Sequence, residues 1–335
     1  MIHFRLVAEG PVQRRFDPLM GWEVRINPER AQRPRQGVAR GKARGDVEEL
    51  GLLSRSGCPF CPDRVEEATL SFGPDLVPEG KLRRGESLVV PNIHPFAPNH
   101  GVIIMGQQHF RRLDEFAPPL LADNLLAARD FAQAVARARP GARYPVYIFN
   151  YMPPSAGSII HPHSQVWAEV QPLPWMRLML ARSRRYFQKW GRCFWDDLVA
   201  EERRLGERFV GENASVAVLC SFAPRGFREA QFIFKGLSSL TGLDAAQAGD
   251  LARAVQAVLL GYRALGVGSF NLASYSAGVG EAADYFRLSF RLISRPYPAG
   301  LYTNDSGPNE KFYGFQVIDT LPEEIAASLR GYFPP

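Results

Sequence analysis

The run Ser158-Ile159-Ile160-His161-Pro162-His163-Ser164-Gln165 holds two of the six histidines of this 335-residue chain, two residues apart, with a glutamine two further on. In an extended conformation the side chains at 161, 163 and 165 project from one face. Two imidazoles and an amide would then line a single patch suited to phosphate or metal chemistry. A neutral imidazole whose second nitrogen is held by an acceptor is a competent nucleophile towards phosphorus, which makes His163 the candidate catalytic residue. Pro162 stiffens the run by fixing its own φ and removing a donor. Gln165 could give its amide N–H to a phosphoryl oxygen whose charge changes during transfer. Ser155-Ala156-Gly157-Ser158, small and hydroxylated, would line phosphates just upstream. His-x-His alone is weakly specific, since strands with two satisfied histidines also carry it.

A second constellation is Cys58-Pro59-Phe60-Cys61. In a reducing compartment C-x₂-C reads as a metal pair before it reads as a disulfide, and Cys193 and Cys220 lie far from it and from each other. Two histidines would complete a tetrahedral Cys₂His₂ zinc site. His109, directly after a predicted strand at 101–106, and His161 are the expected partners, with His100 as competitor for the third place. Four protein ligands close a site, so one structural Zn²⁺ is expected rather than a metal that activates water.

The elements that must position these residues follow from periodicity. Strands are predicted near 86–91, 101–106, 145–150 and 159–169, with a helix near 119–138 between the second and third. The second half repeats the order, with strands near 215–221, 229–234, 269–275 and 286–294 and a helix near 244–264. That pattern predicts a duplicated α+β unit on antiparallel sheets, joined by a partly helical linker over 172–192. All six histidines (His3, His94, His100, His109, His161, His163) lie in the first 163 residues and the second repeat has none, so imidazole chemistry would belong to the first repeat alone.

Composition excludes several classes. With 46% apolar and 22% charged residues, the chain reads as an ordinary globular protein. It has no run of about 18 apolar residues for a membrane span and no apolar signal core at its start, so a cytoplasmic protein is expected. The net charge of +6 is concentrated between Arg30 and Arg44, where Arg30, Arg33, Arg35, Arg40, Lys42 and Arg44 occur without an acid. Such a segment is a solvated basic loop first and an attractor of anionic substrate second. Nucleic-acid binding is not expected, because no aromatic-interleaved basic stripe accompanies it.

The segment Asn150-Tyr151-Met152-Pro153-Pro154-Ser155-Ala156-Gly157-Ser158 leading into Ile159-Ile160-His161-Pro162-His163-Ser164-Gln165 resembles the active-site segment of the galactose-1-phosphate uridylyltransferases. These form a branch of the histidine-triad superfamily alongside ADP-glucose phosphorylase-like proteins. Asp17-Pro18-Leu19-Met20-Gly21-Trp22-Glu23-Val24 with Asn27-Pro28-Glu29-Arg30-Ala31-Gln32-Arg33-Pro34 resembles the family's N-terminal signature. Cys58-Pro59-Phe60-Cys61 is similar to its zinc pair, and Val89-Val90-Pro91-Asn92 to its nucleotide-binding strand end. Lys311-Phe312-Tyr313-Gly314-Phe315-Gln316 is similar to its hexose-contacting segment.

The resemblance implies two histidine-triad-like domains, each an antiparallel β-sheet with packed helices. Residues 1–171 would form the catalytic domain with the zinc site, and 172–335 a domain without catalytic histidines. It implies His163 as the nucleophile that forms a covalent nucleotidyl-histidine, with Gln165 and Ser158 at the transferred phosphoryl group. Arg30 and Arg33 would approach the substrate's phosphates, Asn92 the ribose, and Asn150 the phosphates. Cys58, Cys61, His109 and His161 would hold zinc. A homodimer is implied, with Lys311, Phe312 and Gln316 reaching a sugar site.

The chain departs from the family at several positions. Asn92 is followed by Ile93 and His94 where the family often has an Asn-Asp pair. The region of a second metal site in some members reads Cys193-Phe194-Trp195-Asp196 with no histidine downstream, so no second metal is expected. Arg287 stands where that repeat usually has a histidine, and Arg287, Ser289 and Arg291 would alternate along a strand as a structural row, with an anion-binding row as the alternative. Tyr151-Met152-Pro153-Pro154 is bulkier than the usual Gly/Ala-rich run. The expected function is transfer of UMP between a UDP-sugar, such as UDP-glucose, and a hexose 1-phosphate, as in galactose metabolism. The alternatives are AMP transfer to phosphate by an ADP-glucose phosphorylase, and a non-catalytic zinc-stabilised nucleotide-binding protein.

Overall fold

The computed structural model describes residues 2–33, 46–281, 283–298 and 303–333. Arg35, Arg40, Lys42 and Arg44 of the expected basic arm lie outside the described residues. The chain opens with β1 (Arg5–Glu9), β2 (Val12–Phe16) and β3 (Glu23–Ile26), then α1 (Asp46–Leu53) and α2 (Val65–Ala68). The first repeat follows as β4 (Leu82–Arg84), β5 (Ser87–Pro91), β6 (Gly101–Met105), α3 (Pro118–Ala138), β7 (Tyr144–Tyr151) and β8 (His163–Glu169). Two connecting helices, α4 (Pro174–Trp190) and α5 (Phe194–Leu205), lead to the second repeat. It comprises β9 (Phe209–Glu212), β10 (Val216–Cys220), β11 (Phe227–Phe234), α6 (Ala245–Ala264), β12 (Ser269–Tyr275) and β13 (Ser289–Arg295). The C-terminal part adds α7 (Pro308–Phe312), β14 (Gln316–Ile318) and α8 (Pro322–Arg330).

Ten strands form one sheet in the order β4-β5-β6-β8-β7-β12-β13-β11-β10-β9. From its outer edge each half runs in the same sense, 4-5-6-8-7 and 9-10-11-13-12, with α3 and α6 in corresponding places between its third strand and its seam strand. The duplicated α+β unit predicted from periodicity is therefore present, and the two copies fuse through antiparallel pairing of β7 with β12. The expected boundary at 171/172 falls just before α4. β14, from the second half, pairs in parallel with β3 and completes a separate four-stranded sheet with β1 and β2.

The sheet has two unlike faces. On one, α3 and α6 pack side by side over Tyr147, Phe149, Val166, Phe232, Phe234, Phe270, Phe290 and Leu292, all in the main core. The sequence dictates this packing. α3 buries Leu121, Leu125, Ala128, Ala132 and Val135, and α6 buries Leu251, Val255, Val258, Leu259 and Tyr262, at spacings of three and four. α6 is started by a capping box, in which Asp244 accepts from the Gln247 backbone N–H at 2.7 Å. β7 alternates half-buried and buried residues, so its even-numbered side chains, Ile148 and Asn150 among them, lie on the opposite face with the chemistry.

Several features depart from the sequence expectation. The strand expected from 159 begins at His163. Residues 159–162 stay outside the strand, where Pro162 has no N–H to give to a ladder. The short, charged strands β1, β2, β3 and β14 carry no strong apolar alternation and were not anticipated. Neither was α5, which buries Phe194, Trp195, Leu198 and Val199. Among the described residues no helix is long and apolar enough to cross a membrane.

Phe270, on β12 at the seam, is fully buried and meets Phe116, Phe149 and Tyr151 at ring centroid distances of 6.1, 5.0 and 5.5 Å. Phe270→Ala should cost about 3–5 kcal/mol in urea unfolding. One coincident transition by fluorescence and circular dichroism is expected, because both halves share the packed layer; two separated transitions would show that the repeats unfold independently.

Candidate functional site

β8 starts at the catalytic candidate. His163 is buried, and its Nδ1 lies 2.8 Å from the His161 carbonyl. A carbonyl only accepts, so Nδ1 carries the hydrogen and Nε2 keeps its lone pair. Burial holds the imidazole below its usual range, which favours the neutral form that a nucleophile requires. The Phe60 ring, between the two cysteines, packs edge-on at 5.2 Å. On the same sheet face, Ile104 pairs with His163 and Val102 with Gln165. With Leu88 and Val90 these form a small apolar cluster, against which Phe60 and Val65 pack.

His161 turns off the strand instead of sharing the face of 163 and 165, and this corrects the expectation of three aligned side chains. It joins Cys58, Cys61 and His109, and one ligand atom from each lies within 4.8 Å of the others, all four residues buried. The donor set suits a metal ion. His161 Nε2 lies 3.1 Å from the Gly106 carbonyl, and His109 Nε2 lies 2.9 Å from Ser54 Oγ. Each ring thereby turns Nδ1 towards the thiols, 3.8 and 3.4 Å from Cys61 Sγ. Outer partners on the far nitrogen are what metal-ligating histidines have. Without a cation, burial and the neighbouring Cys58 push the Cys61 thiol up to about 11, and burial takes His161 down to about 4. A Cys₂His₂ set of this kind is compatible with one zinc ion.

His100, weighed as a metal ligand, serves elsewhere. Its Nε2 lies 2.8 Å from Gln165 Oε1. Asn92 places Nδ2 3.5 and 3.4 Å from His100 Nδ1 and Nε2, while its own Oδ1 accepts from the His94 backbone N–H at 2.9 Å. An amide oxygen only accepts, so the His100 hydrogen sits on Nε2 and goes to the Gln165 oxygen. The Gln165 amide nitrogen is then left as the free end of that side chain. Phe96 and Trp167 pack on the His100 ring at 4.4 and 5.3 Å. The Asn92–His100 separation of eight residues across the β5–β6 turn was the available signal, but a histidine beside an Asn carries no motif.

The loop between β7 and β8 is strained. Met152 has φ 72° and ψ 159°, and Ala156 has φ 68°, conformations that L-residues adopt only when their surroundings impose them. The Ser155 backbone N–H and Oγ both bond the Met152 carbonyl, at 3.0 and 2.7 Å. A Cβ at Gly157 would lie 3.0 Å from the Asn150 carbonyl and 3.1 Å from that of Met152, so only glycine suits this close approach. The turn leaves Ser158 exposed beside the two histidines in sequence. Asn150, the last site-face residue of β7, sits in register across from His163, one pair beyond Phe149–Ser164.

The remaining expected residues collect elsewhere in the chain. Arg30, on the short 3₁₀ turn Pro28–Gln32, is exposed and shares a cleft with Arg14, Arg25, Asn309 and Phe315. Arg33 follows that turn directly. Gln316 pairs with Val24 on the four-stranded sheet. Lys311 and Phe312 end α7, with Phe312 82% exposed. The structure thus gathers His163, Gln165, Asn92 and Asn150 around one sheet face, with Ser158 exposed on the loop that leads into it. Arg30, Arg33, Lys311, Phe312 and Gln316 lie around the small sheet.

In the second repeat the equivalent face is filled. Met176, Met179, Phe194, Trp195 and Met20 pack over Ala217, Leu219 and Ile233. Arg287 is paired with Asp196 at 2.6 Å and Arg291 with buried Glu229 at 3.0 Å, so both cations of the row have carboxylate partners.

No family model matches the chain. An uncharacterized protein of Archaeoglobus fulgidus is 29% identical over 335 residues, covering 97% of this chain and 93% of its own length. The ADP-glucose phosphorylase of Arabidopsis thaliana is 26% identical over 204 residues, 53% of this chain and 54% of that protein. Among solved structures, an ADP-glucose phosphorylase from Arabidopsis thaliana with bound ADP-glucose superposes with a TM-score of 0.74 at 20% identity, covering 95% of this chain and 98% of that one. A uridylyltransferase superposes with a TM-score of 0.68 at 21% identity, covering 96% and 98%. The chain thus shares the fold of these ADP-glucose phosphorylase and uridylyltransferase structures over nearly its whole length.

Proposed function

We propose that the protein is a nucleotidyltransferase that works through a covalent nucleotidyl-histidine on His163. The observation that carries this reading is the Nδ1 contact of His163 with the His161 carbonyl at 2.8 Å, which leaves Nε2 with its lone pair, as a nucleophile requires. Nε2 attacks the α-phosphorus of a nucleotide-sugar. The N–P bond forms as the bond from that phosphorus to the bridging oxygen breaks, and the sugar 1-phosphate leaves with the electron pair. An oxygen of a second phosphate compound then attacks the same phosphorus and returns the lone pair to Nε2. Gln165, its oxygen held by His100, turns amide hydrogens to the phosphoryl oxygens, where charge redistributes in both steps. Asn150 and Ser158 add donors at the same group, and Asn92 serves the ribose. The apolar cluster of Leu88, Val90, Val102 and Ile104 offers a base platform.

The acceptor and base divide into two readings. UMP transfer from a UDP-sugar to a hexose 1-phosphate, in the manner of galactose metabolism, follows from the likeness of the motif segments. AMP transfer from ADP-glucose to phosphate is favoured by the Arabidopsis thaliana phosphorylase, which is related in sequence over 204 residues. We further propose a cytoplasmic homodimer in which Arg30, Arg33, Lys311, Phe312 and Gln316 serve the phosphate and sugar ends of the substrate. Residues 1–171 are the catalytic domain and 172–335 the histidine-free one in this reading. Cys58, Cys61, His109 and His161 would hold one zinc ion. When bound it supplies rigidity at the start of β8, not a reactive water.

Incubation with α-phosphate-labelled UDP-glucose or ADP-glucose should leave acid-labile, base-stable label on the protein, and His163→Ala should abolish it. Absence of label from both donors on zinc-loaded wild-type protein would overturn the transferase reading. The donor that labels faster identifies the base. Gln165→Ala should still label, at a rate lowered about 10²–10³-fold; an unchanged rate would remove Gln165 from the phosphoryl group.

Metal analysis should find about one zinc per chain, and Cys58→Ser should lose most of it together with thermal stability. A folded wild-type protein that stays metal-free after incubation with zinc would refute the site.

A further inference from the structure

Asn271 of the histidine-free repeat stands on β12 directly opposite Asn150 of β7. Its Nδ2 donates to Asn150 Oδ1 at 2.7 Å and to the Ser155 carbonyl at 2.8 Å. Its Oδ1 accepts from an Arg295 guanidinium nitrogen at 2.8 Å. Arg295 in turn holds the Asp305 carboxylate through Nε at 2.9 Å and a terminal nitrogen at 2.7 Å.

The order of donors along this chain is forced. A guanidinium only donates, so the Asn271 oxygen must face Arg295 and its nitrogen must face Asn150 and Ser155. Both Asn271 hydrogens then need acceptors, and Asn150 must offer its oxygen. The amide nitrogen of Asn150 is thereby left as the free end of that side chain, in register with His163. Phosphoryl oxygens only accept, so an Asn150 turned the other way would set oxygen against oxygen. An unrestrained asparagine has little to choose between the two orientations.

We propose that Asn271 is a positioning residue for phosphoryl transfer, supplied by the second repeat. It orients the Asn150 amide so that N–H groups face the substrate's phosphoryl oxygens. The inference rests on the nucleotidyl-transfer reading. It gives the repeat without histidines a part in the site across the β7–β12 seam.

The test is a double-mutant cycle on the rate of His163 labelling at saturating nucleotide-sugar, with wild type, Asn271→Asp, Asn150→Ala and the double variant. Aspartate keeps the shape and the Arg295 bond but offers Asn150 only oxygens, so Asn150 must turn its nitrogen inwards. Asn271→Asp should slow labelling about 100-fold with zinc content unchanged. The double variant should be no slower than Asn150→Ala alone. A loss from Asn271→Asp that persists in full without Asn150 would assign the effect to the added charge or to the fold and overturn the proposal, as would an unchanged rate. Should the aspartate variant not fold, Asn271→Ala is read in the same cycle. It frees Asn150 to rotate and should slow labelling about tenfold, again only when Asn150 is present. If wild-type protein takes no label, the transferase reading has failed by itself, and the same four proteins are compared for ADP and UDP binding by calorimetry. Weaker binding by Asn271→Asp that vanishes in the Asn150→Ala background would sustain the orienting role, and equal affinities throughout would end it.

Discussion

The antiparallel pairing of β7 with β12, from Tyr151–Phe270 to Ile148–Ala273, is the contact on which the rest of the molecule depends. It converts two five-stranded units into one ten-stranded sheet and brings α3 and α6 together over a common core. Neither unit could bury its helix-side face so fully alone, because Phe149 and Phe270 meet across the seam at 5.0 Å. The same pairing acts on the other face of the sheet. A one-residue slip would turn every side chain of a strand to the wrong face, carrying Asn150 into the core and Phe149 into the site.

The two halves use their second faces in different ways. In the second repeat, α4, α5 and the N-terminal segment bury Phe194, Trp195, Met176 and Met179 against the sheet. In the first repeat the corresponding area keeps half-buried side chains on β7 and the small cluster under Phe60. Filling one face provides apolar burial. Leaving the other open keeps polar groups such as Gln165 and Asn150 available, at the cost of that burial. The absence of histidine after residue 163 accords with this division, since a filled face has no room for a substrate. Arg291 belongs to the filled face and is neutralised there by Glu229 at 3.0 Å, as expected for a buried cation that must be paired.

How much of this was legible in the sequence follows from the range of each interaction. The apolar runs of β5, β6, β10 and β11 and the periodic stripes of α3 and α6 are local signals, and they located the repeat within a few residues. β2, with the sequence Val-Gln-Arg-Arg-Phe, has no such stripe and takes its strand form from pairing with β1 and β3. Cys58, Cys61, His109 and His161 were readable because metal chemistry restricts the residue types so strongly. His100 was misjudged as a competitor because its role is set by Gln165, 65 residues away. Asn271 was not seen at all: it is an ordinary asparagine in a strand until register places it beside Asn150, 121 residues earlier.

The closeness of the Cys₂His₂ cluster to His163 has a physical consequence. His161 contributes its ring to the cluster and its carbonyl to His163 Nδ1. Anything that holds the His161 ring also holds the peptide that selects the His163 tautomer. Gly106 secures the far nitrogen of that ring at 3.1 Å, and Met105 bonds the Pro162 carbonyl at 2.9 Å. The turn before β8 is thus pinned from β6 on one side and from the cysteines on the other. A cation bound by those cysteines would act at a distance of two residues without touching the substrate, by keeping one carbonyl in place. In the proposed reaction, precision at His163 would then depend on the rigidity of that turn, and a closed, four-ligand cluster with no position for water would suit that role.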